Sequence, residues 1–142
     1  MNVTRAVAAG VIATASMTAL LLIEPAIGLP EIAIGQLLST SLSVSTAHLA
    51  IGPGMGWLIH FLVGIAWALV YAGVLVGRLR GSPLARGLAY GFLVFLLGQA
   101  IFLPLVSAGF FSHGDAAMLA GSLLGHLVFG AVLGWVYAGS SA

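Results

Sequence analysis

The chain has 142 residues, of which 61% are hydrophobic and 5% charged, and its formal net charge is +1. A soluble domain carries about a quarter charged residues; four basic and three acidic side chains cannot cover a globule of this size, so lipid is the solvent for most of it. The absence of cysteine excludes disulfides, thiolate metal sites and thiol nucleophiles, and the net charge gives no field that would hold nucleic acid.

A transmembrane helix needs about 20 mostly apolar residues. Four runs qualify, at residues 6–23, 57–76, 87–106 and 116–138. The first follows Arg5, as the apolar stretch of a secretory signal would, but no convincing small-x-small cleavage site comes after it and it has an equivalent later in the chain. It carries Thr14, Ser16 and Thr18. The connection at 24–54 is long for so small a protein, and loops of that length usually have structure or a task of their own. Within it Pro30-Glu31 opens a stretch bearing Ile32, Ile34, Leu37, Leu38 and Leu42, which predicts a short interfacial helix or a lid over the bundle. Gly52-Pro53-Gly54 then breaks the chain before span two.

Arg78, Arg80 and Arg86 lie between spans two and three, on the same side as Arg5 in any four-span arrangement, whereas Glu24, Glu31 and Asp115 fall on the other side. Arginine favours cytoplasmic flanks, so both termini are expected in the cytoplasm of a cell with this protein in its inner membrane. Span three starts with Gly87-x3-Gly91 and carries Gln99, whose amide predicts an interhelical hydrogen bond, and Pro104, which predicts a kink. Span four carries Gly121-x3-Gly125 and Gly130-x3-Gly134. Small residues four apart let helix backbones approach, within this bundle, against a second copy or against another membrane protein.

The chain reads as one membrane domain built from two copies of a two-helix unit, 1–76 with the long loop 24–54, and 77–142. Aligning 57–73 with 123–139 gives identity at seven of the seventeen positions, under the shared pattern His-x3-Gly-x6-Tyr-Ala-Gly. Arg5-x4-Gly10 and Arg86-x4-Gly91 match more loosely. Two units of two spans each have the same orientation and are related by an axis along the membrane normal. The expected fold is therefore an all-α bundle of four transmembrane helices.

With no acid or base inside spans two to four, histidine is the main reactive side chain. His60, Gly64 and Tyr71 share one helix stripe, and His126, Gly130 and Tyr137 repeat it. Facing stripes would bring two imidazoles together, with Gly64 and Gly130 making room for a flat macrocycle, an arrangement that suits haem b. With His48, His113, Met55 or Met118 nearby, copper or zinc is the other candidate. The competing reading is that the histidines only bond neighbouring helices. Tyr71, Tyr137, Trp67 and Trp135 read as interfacial anchors. No serine–histidine–acid, paired-carboxylate or phosphate-loop pattern appears, so nothing points to catalysis, and no mid-span carboxylate supports a coupled carrier.

Gly56-Trp57-x2-His60-Phe61-x2-Gly64, Tyr71-Ala72, Arg86-Gly87-x3-Gly91, Pro104, Ala108-Gly109-Phe110 and Ser122-Leu123-Leu124-Gly125-His126-Leu127-Val128-x-Gly130 together resemble a domain-of-unknown-function family of small prokaryotic four-span membrane proteins. The resemblance covers nearly the whole chain. It implies the four-span architecture and implies that both histidine–glycine motifs belong to the family pattern, and it implies no activity. The expected function is a non-enzymatic accessory or assembly component of a larger membrane system. The alternatives are a haem b or metal-binding protein of a respiratory chain, with His60 and His126 as ligands, and a small transporter or channel formed by oligomerisation.

Overall fold

The structure, a computed structural model, describes residues 1–45 and 52–139. Among the described residues the five longest helices are, in order, α1 (Val3–Ile23), α2 (Ile34–Ser45), α3 (Pro53–Val70), α4 (Pro83–Leu97) and α5 (Ala116–Gly139). Four helical stretches are long and apolar enough to cross a bilayer, Val3–Ile27, Pro53–Leu75, Pro83–Leu105 and Ala116–Ala138. At 1.5 Å per residue the shortest of them spans about 34 Å, enough for a hydrocarbon core of about 30 Å. The architecture is the all-α bundle expected from the sequence, and α2 is the short helix expected in the long loop.

The helix ends show why the boundaries fall where they do. Asn2 Oδ1 accepts from Arg5 N at 3.1 Å and Ser82 Oγ from Ala85 N at 3.2 Å, each satisfying a free amide of a first turn. Pro53 and Pro83 stand at the start of α3 and α4, where a missing N–H has no cost. Asp115 Oδ1 accepts from Ala117 N and Met118 N at 2.9 and 3.0 Å and so caps α5. Two of the spans widen by one turn. Tyr71–Leu75 extends α3, with Val76 N bonded to Tyr71 O; Gly98–Phe102 extends α4, with Leu103 N bonded to Gly98 O. The second follows from Pro104, which has no N–H for the carbonyl four residues back, so the chain shifts to a five-residue step. Pro104 thus acts one turn earlier than a simple kink at its own position.

The spans pack in the order α3, α1, α5, α4, and α2 lies against α3. Glycine sets the closest contacts. A Cβ on Gly130 would strike the backbone of Gly87 and Gly91, and one on Gly64 would strike the Thr14 side chain. The spaced glycines of α4 and α5 are therefore occupied by the chain's own helices. Ala9, Ala13, Ala68, Tyr71, Tyr90, Val94, Phe129 and Leu133 form the buried centre. Leu22, Leu105 and Trp135 are 68%, 77% and 70% exposed, the large apolar surface that lipid covers.

Tyr71 is 1% exposed, in place of the boundary position expected for it. Its ring lies 5.1 Å from that of Tyr90 and 6.1 Å from that of Tyr137, so it fills the core rather than anchoring the bundle in headgroups. Tyr137 and Trp67 pack partly against the same core, and of the four aromatics Trp135 alone keeps a largely exposed ring.

Candidate functional site

No continuous contact runs along α3 and α4. They are joined at the arginine-bearing end, where Tyr90 Oη donates to Trp67 O at 2.7 Å and Arg86 Nη1 donates to Val76 O at 3.0 Å. Beyond Trp67 the two helices enclose a cavity of about 1210 Å³, large for a small-molecule site. α1 closes its back through Thr14, Met17 and Leu21; α5 contributes Met118, Ser122, His126 and Phe129. α2 and the residues before it cover one flank, with Ile32, Leu37 and Leu38.

The lining is mainly apolar, with a few polar groups that converge. His60 and His126, on α3 and α5, both line the cavity. His60 is 8% exposed, its ring meets Trp57 and Phe61 edge-on at 5.9 and 6.0 Å, and its Nε2 is buried without a hydrogen-bond partner among the described residues. His126 Nδ1 lies 2.7 Å from Ser122 O. A carbonyl only accepts, so Nδ1 carries the hydrogen and the neutral ring presents Nε2 as an acceptor. Gly98 of α4 leaves space beside that nitrogen: a methyl there would lie 3.7 Å from it.

A second polar group continues from this point. Gln99 Nε2 donates to Ser122 Oγ at 2.9 Å, and Ser112 Oγ donates to Gln99 Oε1 at 3.0 Å. The first is the interhelical bond expected of Gln99. The second ties down a turn in which Phe111, Ser112 and His113 all take positive φ, an uncommon backbone for three successive residues with side chains. His113 lines the cavity, with its ring over Gly109.

The two predicted histidines thus come to one cavity, with His113 also on its lining, while His48 falls outside the described residues. Gly64 lines the cavity and Gly130 does not, and both glycines serve close helix contact. Thr14 fills the space beside Gly64, and the α4 backbone fills the space beside Gly130, because both glycines lie where helices touch. Among the described residues no three histidine, aspartate or glutamate side chains come together as a metal site would require. Met118 lines the cavity, whereas Met55 is exposed.

Sequence reasoning gave no place in the site to Ser122, Ser112, Thr14 or Phe129. Ser122 had a signal, since it precedes His126 by one helical turn. The others depend on which helices become neighbours.

A family model matches residues 1–141, nearly the full length over which the histidine and glycine positions just described are spread. The chain belongs to the DUF6789 family. It is a family of unknown function. No curated protein and no solved structure matches the chain.

Proposed function

We propose that this DUF6789 member is a non-enzymatic membrane protein that holds a small lipid-soluble molecule between α3 and α4. In this reading it serves as an accessory or assembly component of a larger membrane system. His60 and His126 are its polar anchors. The observation that carries the reading is that two histidines from different hairpins line one mainly apolar cavity, in which His60 Nε2 is buried without a hydrogen-bond partner among the described residues and His126 is held through Nδ1. A buried polar atom without a partner costs about 1–3 kcal/mol, and a ligand would recover that cost.

Haem b is a second reading with its own support. A metal-bound histidine typically donates its other N–H to a carbonyl, as His126 does to Ser122. The same proposal places both termini in the cytoplasm, from the grouping of all four arginines at one end. It also treats the two hairpins as tandem copies. Supporting that, Gly10 packs on Gly64 and Ala68 while Gly91 packs on His126 and Gly130, and each arginine of the internal repeat bonds the end of the other hairpin's second helix.

The test is to purify the protein in mild detergent and measure its absorption spectrum, metal content and extractable organic molecules on one sample. The expected result is a bound molecule whose retention falls roughly tenfold or more in His60→Ala and His126→Ala, since each change removes a polar contact. Trp135→Ala, on the exposed face, should retain it. A haem spectrum lost in both histidine variants would select the second reading, and equal retention in all three variants would reject both.

A further inference from the structure

The charges around the cavity narrow what can occupy it, given the reading that it takes a lipid-soluble ligand. All four basic residues, Arg5, Arg78, Arg80 and Arg86, lie outside its lining. The charged residue that does line it, Asp115, caps α5 through Oδ1. An anionic headgroup would therefore enter a mainly apolar space with no cation to meet it, at a large desolvation cost. The occupant therefore carries no negative charge.

The hydrogen-bonding pattern narrows it further. His126 Nε2 is an acceptor, because Nδ1 carries the hydrogen that bonds Ser122 O. Gln99 gives one amide hydrogen to Ser122 Oγ and keeps the other. Ser122 Oγ accepts that bond and keeps its own hydrogen to donate. The wall of α4 and α5 thus offers one acceptor and two donors close together. His60 Nε2 adds from α3 a polar atom without a partner among the described residues.

A hydroxyl is the smallest group that meets such a wall, because it donates and accepts at one atom. Phe129 and Trp67 on the lining, and Phe95 edge-on to His126 at 5.9 Å, suit an aromatic ring carrying it. The absence of a continuous α3–α4 contact leaves an apolar tail a path toward lipid. We propose that the cavity binds an uncharged hydroxyaromatic lipid of the quinol class. One ring hydroxyl donates to His126 Nε2 and accepts from Gln99 or Ser122, and the other meets His60 Nε2. The proposal concerns binding and involves no electron transfer.

The experiment titrates the purified full-length protein with three probes: a decyl-substituted hydroquinone, its dimethyl ether and haem. The ether keeps ring and tail but cannot donate. The hydroquinone is expected to bind roughly tenfold or more tighter than the ether, the effect of losing hydrogen bonds at the ring. His126→Leu should bring the two affinities together. Because the decisive comparison is between ligands on the unaltered protein, misfolding of the variant would not remove the test. Equal affinity for hydroquinone and ether would overturn the quinol assignment while leaving the lipid-soluble-ligand reading standing. Haem binding that the hydroquinone cannot displace would overturn it in favour of haem. Binding of none of the three would overturn both.

Discussion

The α4–α5 seam and the α3–α4 gap use the same kind of apolar helix and end differently. Along the seam, glycine faces glycine: Gly87 and Gly91 meet Gly130 and Gly134, and each backbone enters the groove of the other. Across the gap, the small residues are already engaged or unanswered. Thr14 fills the space beside Gly64, Gly98 faces His126 of α5, and the residues between α3 and α4 include Val63, Trp67 and Leu97. In lipid there is no hydrophobic drive to press helices together, so contact depends on matched small surfaces. Where the match is missing, α3 and α4 stand apart and a cavity remains.

The most direct way to break this contrast is Gly130→Ala. Its Cβ would lie 2.7 Å from Gly91 backbone atoms, and backbone cannot swing aside as a side chain can. A destabilisation of about 3 kcal/mol, the upper end for overpacking, is expected, read as a shift in the unfolding midpoint in mixed detergent micelles. Gly98→Ala is the matched control on the cavity side. Its nearest neighbour would be His126 Nε2 at an ordinary 3.7 Å, so the fold should hold. Equal loss in both variants would mean that glycine matters here for something other than close approach.

Arg86→Ala tests the end at which α3 and α4 are joined. The guanidinium bonds Val76 O just past the widened turn of α3, supplying a partner to a helix-end carbonyl. Its loss should cost about 1.5–3 kcal/mol, the usual range for a hydrogen bond to a charged group. Arg86→Lys should recover part of that, and an unchanged midpoint in both variants would remove the arginine from the account of what holds the gap closed at one end.

How far the sequence could be read follows the same division. The spans and the short helix α2 were legible, because they rest on run length and helical period, which are local; that His60 and His126 line one cavity depends on which helices become neighbours. The partners of Gly64 and Gly130 were not, since period places a residue on a face without saying which helix covers it. Tyr71 was misplaced for a related reason. Position near a span's end suggests a headgroup anchor, but its stripe turns inward to Tyr90 and Tyr137.

Tyr90→Phe is a smaller change at the same junction. It removes only the hydroxyl that bonds Trp67 O at 2.7 Å and keeps the ring packing on Tyr71. Hydrogen bonds between membrane helices average about 0.6 kcal/mol, so the midpoint should move by that order. Ligand retention should fall more than stability if the junction sets the width of the gap, and a loss in stability alone would separate the two.

Glu24 supplies an effect of similar small size, with the opposite sign. It lies at the far end of α1, fully buried, and its carboxyl oxygens have no hydrogen-bond partner among the described residues. Its side chain rests on Gly121, where the missing Cβ gives it room. A buried polar group without partners costs stability, and an apolar side chain of similar reach recovers it. Glu24→Leu should therefore leave the fold intact and raise the unfolding midpoint by an amount worth up to about 1 kcal/mol. A marked loss would show that the carboxyl has a partner in the membrane, and the contact of α1 with α5 would then depend on a polar anchor as well as on the small surface of Gly121.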